Sequence, residues 1–229
     1  YHFLKFRRIY GRYSNLHLLC ASAFSAADYR MVGCFKDKAY KWGYFTKVNE
    51  KYTVEAPLSV STSETLHAFM WCARFLKLKH PELPVQMAAR LKAKGYKFVL
   101  DMYGSGVELE NAQKLARKLG VENLISFKGD TPNDEVLNAM REHEIFLFTS
   151  DKNEGWGAVA NEAMSNGCVL VGSSAIGSVP FLLKDGVNGC IFQSGNIDSL
   201  ISRVEWLLDH DDERKQIAMN GYNTMKNLW

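Results

Sequence analysis

The sequence predicts an α/β domain: a Rossmann-like, doubly wound parallel sheet with helices on both faces. Three observations carry that expectation. From about residue 66, short apolar runs alternate with longer stretches of helical period, punctuated by glycine or proline. Several runs are continuously apolar, as strands buried on both faces must be (Ile145–Phe148, Val169–Val171). Polar or glycine-bearing loops follow the runs, as βα units need.

Taken in order, the elements divide the chain into three parts. Residues 1–48 read as Leu16–Ala21 (strand), Ser25–Phe35 (helix) and Tyr40–Val48 (extended). Three elements cannot make a doubly wound sheet, so this segment is expected to be the tail of a truncated amino-terminal domain. The opening at Tyr1 fits a piece of a longer protein. Residues 49–65 are expected to be a linker, with Pro57, Ser59 and Ser61-Thr62-Ser63.

Residues 66–229 carry the regular alternation. His67–Cys72 is a strand, Pro84–Ala93 a helix stopped by Gly95, and Phe98–Met102 a strand leading into Gly104-Ser105-Gly106. Val107–Leu119 has helical spacing and ends at Gly120; Ile125–Phe127 is a strand and Asp134–Glu142 a helix. Ile145–Phe148, Val169–Val171 and Cys190–Phe192 are strands, and Ala158–Ser165 is a helix between the first two. Helices Ile197–Asp209 and Asp212–Leu228 close the chain. Ligands of such sheets lie outside the carboxyl ends of the strands, where the loops after Cys72, Met102 and Phe148 emerge.

Composition narrows the class. With 229 residues, 47% hydrophobic and 23% charged, the chain can bury one good core and part of another. Its cysteines, Cys20, Cys34, Cys72, Cys168 and Cys190, are odd in number and contain no Cys-x2-Cys pair, which suits buried thiols in a reducing cytoplasm. No apolar run approaches the roughly 20 residues that span a bilayer. Asp209-His210-Asp211 matches an Asp-x-Asp metal motif, but it joins two helices, where aspartates cap the second; no metal or other cofactor is expected. Residues 1–50 carry about +6 of a net charge of +3, leaving about −3 elsewhere. Bases and aromatics mix in Lys5-Phe6-Arg7-Arg8-Ile9-Tyr10-Gly11-Arg12-Tyr13. That stretch reads either as a solvated helix face or as a peripheral contact with anionic lipid at the inner face of the membrane. No nucleic-acid module surrounds it.

Residues 144–172 are the most informative. The run Ile145–Phe148 ends at Thr149-Ser150, and a polar loop carries Glu154 into Gly155-Trp156-Gly157. A helix follows, with Glu162 eight positions after Glu154. A helix start reached through glycines offers free N–H groups and the positive end of the helix dipole, which suits a phosphate. Two carboxylates flanking an anion site would repel the anion itself, so they are better suited to hydroxyls on either side of it. A diphosphate with a hydroxylated ring at each end is a nucleotide sugar.

The pattern Glu154-Gly-Trp-Gly-x4-Glu162-Ala-Met-x2-Gly167-x-Val-x-Val resembles the E-x7-E signature of the retaining transferases of glycosyltransferase family 4. The resemblance runs from about Leu66 to Phe192. It implies the carboxy-terminal, donor-binding half of a GT-B fold. It further implies that Glu154 holds hydroxyls of the donor sugar and Glu162 the ribose, with Gly155, Trp156, Gly157, Ala158 and Val159 forming the turn at the phosphates. Trp156 stands where the family more often has Phe.

The loop after the first strand of this domain supplies Arg74 and Lys79, which can converge on one diphosphate, or can be ordinary exposed bases. In the family the matching loop begins Gly-Arg-Leu and ends Lys-Gly; here Ala73 and His80 replace the glycines, while both charges survive. Lys77 falls outside this register. Gly104-Ser105-Gly106 resembles a nucleotide-binding Gly-x-Gly, or is a plain βα turn, since Leu109 stands where a third glycine belongs. Phe127-Lys128-Gly129 resembles the family's base-contacting strand end, which adds Gly104 and Lys128 to the donor-binding residues. Gly172-Ser173-Ser174 to Pro180 either closes over the donor or is a simple loop, and Gly186-x2-Gly189 reads as a turn.

The expected function is therefore transfer of a hexosyl unit from a UDP- or GDP-sugar to a hydroxyl of a glycan or lipid-linked acceptor, with retention. Arg74 and Lys79 would stabilise the leaving diphosphate, and Glu154 would position the sugar or, as in glycosidases, act as nucleophile. The acceptor site is implied to lie in the amino-terminal domain, so this piece alone is expected to be inactive. Two other classes stay open: a noncatalytic nucleotide-sugar module serving a partner chain, and a dehydrogenase.

Overall fold

A computed structural model describes residues 2–48 and 66–229, so the expected linker lies outside the described residues. From residue 67 the chain forms a six-stranded, all-parallel sheet. In chain order its strands are β3 (His67–Cys72), β4 (Phe98–Tyr103), β5 (Ile125–Gly129), β6 (Ile145–Phe148), β7 (Val169–Ser173) and β8 (Cys190–Phe192). They lie side by side as β5-β4-β3-β6-β7-β8. The chain starts in the middle, winds outward to β5, returns to lay β6 beside β3, and winds outward again. The order reverses between β3 and β6, and the loops leaving their carboxyl ends diverge there to form a crevice.

Side chains of β3 show why both faces of this sheet must be covered. Phe69 and Trp71 enter one apolar cluster and Met70 the other, all fully or almost fully buried. On the first face lie α3 (Glu82–Ala93), α4 (Leu109–Lys118) and α8 (Ile197–Asp209); α3 packs on both α4 and α8. On the second lie α5 (Asn133–Met140), α6 (Val159–Ser165) and α9 (Asp211–Leu228), with α6 packed on α9 and α5. At the opposite end from the crevice, Arg214 on α9 bonds Glu144 at 2.8 Å, and Glu144 bonds His67 at 2.9 Å. This network of side chains ties the last helix to the starts of β3 and β6.

Several boundaries differ from the sequence reading. Helix α3 begins at Glu82 rather than Pro84, because a proline is compatible with the first turn of a helix. The segment 172–180, read as a loop or closing flap, includes the start of α7 (Val179–Leu182), with Pro180 in its first turn. Turn residues behave as read: Gly186 N–H bonds Gly189 O at 2.9 Å with φ +71° at Gly186. In the amino-terminal part, α1 (His2–Tyr10) is followed by β1 (Leu18–Cys20), α2 (Ser25–Met31) and β2 (Ala39–Lys41), with β1 and β2 paired in parallel. Of the extended run 40–48 only its start joins a strand; the rest lies against the large domain through Tyr44, Phe45 and Gly43.

Candidate functional site

The crevice between β3 and β6 opens into a cavity of about 350 Å³, lined by three loops and the starts of two helices. From the β3 loop come Cys72, Ala73, Arg74 and Lys79; from β6 comes Phe148; from the start of α6 come Ala158, Val159 and Glu162. Five of the residues singled out in the sequence thus converge: Arg74, Lys79, Ala158, Val159 and Glu162. Thr131, from the β5–α5 loop, and Asn133 and Val136, on α5, complete the wall.

The β3 loop is held from behind. Ala73 N–H donates to Tyr103 O (3.2 Å), and Phe75 N–H to Ser105 O (2.7 Å). A β-carbon on Gly104 (φ +114°) would overlap the Ala73 carbonyl, and one on Gly106 (φ +145°) the Phe75 carbonyl. Gly104 therefore lies behind the loop, outside the cavity lining, and lets two strand ends approach closely. At the loop's far end His80 adopts φ +49°, ψ +55°, the left-handed conformation a glycine would take at no cost. Its ring is braced by Glu82 at 2.7 Å and Asp151 at 3.6 Å. The replacement of glycine by histidine thus preserves the turn.

Two side chains that sequence reasoning missed fix Lys79. Trp71 Nε1–H donates to Thr149 Oγ1 at 2.9 Å, and Thr149 Oγ1–H donates to Lys79 O at 2.7 Å. Thr149 is buried at the end of β6. Lys79 Nζ is bonded to Glu154 Oε2, which also accepts from Ser150 Oγ at 3.3 Å. Among the described residues Arg74 makes no ion pair and stays exposed at the mouth. Lys77 is exposed too, on the short 3₁₀ turn Lys77–Lys79.

The glycine turn has two distinct glycines. Gly157 has φ +75°, and a β-carbon there would overlap the Phe148 ring; Gly155 has open space around it. From Gly157 the chain passes through Ala158 into α6, whose first turn is closed by Ala160 N–H to Gly157 O at 3.0 Å. N–H groups at such a start have no partner within the helix and point out of it. One turn in, burial pushes the Glu162 carboxyl above its ordinary range, while a side-chain bond from Asn133 opposes the shift. Cys72, beside it, is pushed up to about 11 by burial and by the charge of Glu162, so it remains a neutral thiol at pH 7.

Glu154, Gly155, Trp156, Gly157 and Lys128 are not among the residues that line the cavity; Glu154 reaches its edge through its pair with Lys79. Trp156 is buried, with its ring against Tyr44, Phe181 and Trp229. Lys128 Nζ, on β5, pairs with Asp101 on β4 at 3.2 Å. The loop after β7 supports the turn from behind: Gly177 N–H donates to Glu154 O at 3.0 Å, and Ser178 Oγ to Trp156 O at 2.5 Å. Asp209 and Asp211, of the Asp-x-Asp sequence, bond Tyr96 and Arg214 respectively.

This arrangement offers a cationic mouth, the N–H groups of a helix start and two acids, Glu162 in the lining and Glu154 paired with Lys79, which suits an anion carrying hydroxyl groups on either side. Residues 61–224 match the family described as "Glycosyl transferases group 1". D-inositol 3-phosphate glycosyltransferase of Corynebacterium aurimucosum is 29% identical over 147 residues, which are 62% of this chain and 34% of that protein. The chain spans about a third of the length of such curated relatives. In fold it is similar to Anabaena Alr3699/HepE, crystallised with UDP: TM-score 0.81, 18% identity, 99% of this chain and 64% of that one. It is also similar to the C-terminal domain of a glycosyl transferase group 1 family protein (LpcC) from Francisella tularensis: TM-score 0.65, 22% identity, 71% of this chain and 85% of that one.

Proposed function

The chain belongs to the group 1 glycosyl transferases, and from that premise we propose that residues 66–229 are the donor-binding half of a retaining hexosyltransferase using a UDP- or GDP-sugar. The observation that carries the reading is the convergence of Arg74, Lys79, the start of α6 and Glu162 on one cavity. UDP is the first nucleotide to try, because the similar Anabaena protein was crystallised with it.

In this reading the diphosphate sits between Arg74 and the N–H groups of Ala158 and Val159, with Lys79 beside it. Glu162 accepts bonds from the ribose, Glu154 from the hexose. When the bond between the anomeric carbon and the β-phosphate oxygen breaks, negative charge grows on the phosphate and positive charge on the ring. Each charge-assisted bond to the phosphate contributes about 1.5–3 kcal/mol, and the helix start about 0.3–1 kcal/mol. The groups are already in place, so little reorganisation accompanies the charge shift. The acceptor hydroxyl adds to the anomeric carbon from the face the phosphate leaves, and its proton passes to the phosphate oxygen. Lys79 balances Glu154 before the donor arrives, which favours a positioning and electrostatic role for that acid over a nucleophilic one.

The acceptor, a glycan or a lipid-linked hydroxyl compound, is proposed to bind an amino-terminal domain of which residues 2–48 are the end. The test supplies the chain with such a domain and assays transfer. Transfer that disappears in Glu154→Ala supports the enzyme; transfer indifferent to that change leaves a nucleotide-sugar module serving another catalyst.

A further inference from the structure

Asn161 precedes Glu162 in the motif, yet its side chain is wholly buried (0% exposed) and bonded to residues outside the cavity lining. Its Oδ1 accepts from Trp156 Nε1–H at 2.8 Å, and its Nδ2–H donates to Tyr44 O at 3.0 Å. One amide thus joins the glycine turn, the helix that carries Glu162, and the amino-terminal segment. A buried indole N–H needs an acceptor, and Asn161 supplies it; this accounts for a tryptophan where the family more often has phenylalanine.

The same segment clamps the turn in other ways. Gly43 lies against the rings of Trp156 and Trp229, so closely that a β-carbon would overlap both. The Tyr44 ring stacks on Trp156 with centroids 5.8 Å apart. A second seam runs parallel: Ala23 N–H donates to Gly177 O at 2.8 Å, and Gly177 N–H to Glu154 O at 3.0 Å. The backbone of Glu154 and the ring of Trp156 are therefore both held by groups that the amino-terminal segment touches. Buried polar chains of this sort act as units, because losing one member leaves the next unsatisfied.

We propose that Asn161 is a positioning residue that locks the turn 154–158 to the amino-terminal segment at Gly43-Tyr44, so that seating of the segment sets the geometry of the turn. The consequence for nucleotide affinity rests on the donor-binding reading above; the mechanical coupling does not. An acceptor domain continuous with the segment would thereby act on the donor loop directly, through this amide and the ring contacts and seam beside it.

A double-mutant cycle on the 229-residue chain tests this, with amide hydrogen exchange over residues 42–45 and 154–162 as one readout and UDP titration as the other. Gly43→Ala, which unseats the segment, should raise exchange over both stretches at least fivefold and weaken UDP binding at least fivefold. In an Asn161→Leu background it should raise exchange at 154–162, and weaken UDP binding, by a factor at most half that in the parent, the remainder passing through the ring contacts and the Ala23–Gly177 seam. Asn161→Ser serves as the background if the leucine variant does not fold. Faster exchange confined to 42–45, or the same factor in both backgrounds, overturns the proposal. A parent chain that binds neither UDP nor GDP would sink the donor reading, while the exchange arm would still decide the coupling.

Discussion

Lys79 Nζ is bonded to Glu154 Oε2 across two loops, with the side chains only 16% and 13% exposed. One partner is proposed for the phosphates and the other for the hexose, so a donor has to separate the pair to use both. Glu154→Gln removes that competition and weakens the contact with the sugar. UDP itself should then bind the variant as tightly as the parent or up to about tenfold more tightly, 1.4 kcal/mol. A UDP-sugar should lose whatever advantage over UDP it holds in the parent. Calorimetric titration of both ligands against both proteins reads this directly.

Thr149 relays between Trp71 and the backbone of Lys79. Thr149→Val keeps the shape but leaves a buried indole N–H and a carbonyl without their partner. We expect a loss of about 1–3 kcal/mol in unfolding free energy, with UDP affinity falling as the loop relaxes. Urea unfolding monitored by tryptophan fluorescence gives the first number. Unchanged stability would remove Thr149 from the architecture of the site.

The two glycines of the turn should respond oppositely to alanine. Gly157→Ala forces a left-handed backbone on a residue with a β-carbon and drives that carbon into the Phe148 ring. It should lower stability by at least about 1–2 kcal/mol and weaken nucleotide binding more than tenfold. Gly155→Ala meets open space and should change stability by less than about 0.5 kcal/mol. Melting temperatures of the two variants make the comparison.

Burial raises the Glu162 carboxyl above its unfolded value. A raised acid contributes stability that is fully present below the unfolded pKa and lost as pH rises through the folded one. At pH 7 the ionised acid therefore costs stability, and Glu162→Gln should raise the melting temperature there. The advantage should shrink as pH falls through the raised pKa. The same variant should bind UDP more weakly at pH 7, having lost an ionised acceptor for the ribose. Parallel melts at pH 7 and pH 4 separate this from a simple packing gain, which would be constant with pH.

Much of the fold was legible in the chain, and the reasons are local. Ile145–Phe148 and Val169–Val171 are continuously apolar, which only a strand covered on both faces tolerates, and Gly157 marked the turn because no other residue type fits there. What was illegible depends on partners distant in sequence. Thr149 and Asn133 are ordinary polar residues until the sheet brings Trp71, Lys79 and Glu162 to them. Asn161 looks like one more polar residue in a helix until Tyr44 is seated against it. Gly104 reads as a nucleotide contact or a plain turn, and only the structure shows that its freedom serves the close passage of the Ala73 carbonyl. Helix α7, at four residues, is too short for any period to show.

The most direct test is calorimetric titration of the chain with UDP, comparing the parent with Arg74→Ala. Arg74 reaches the mouth of the cavity with no ion pair among the described residues, so its removal leaves the fold intact. If it grips the phosphates, affinity falls at least tenfold, about 1.4 kcal/mol. Equal affinity in parent and variant would contradict the phosphate site and the donor assignment built on it.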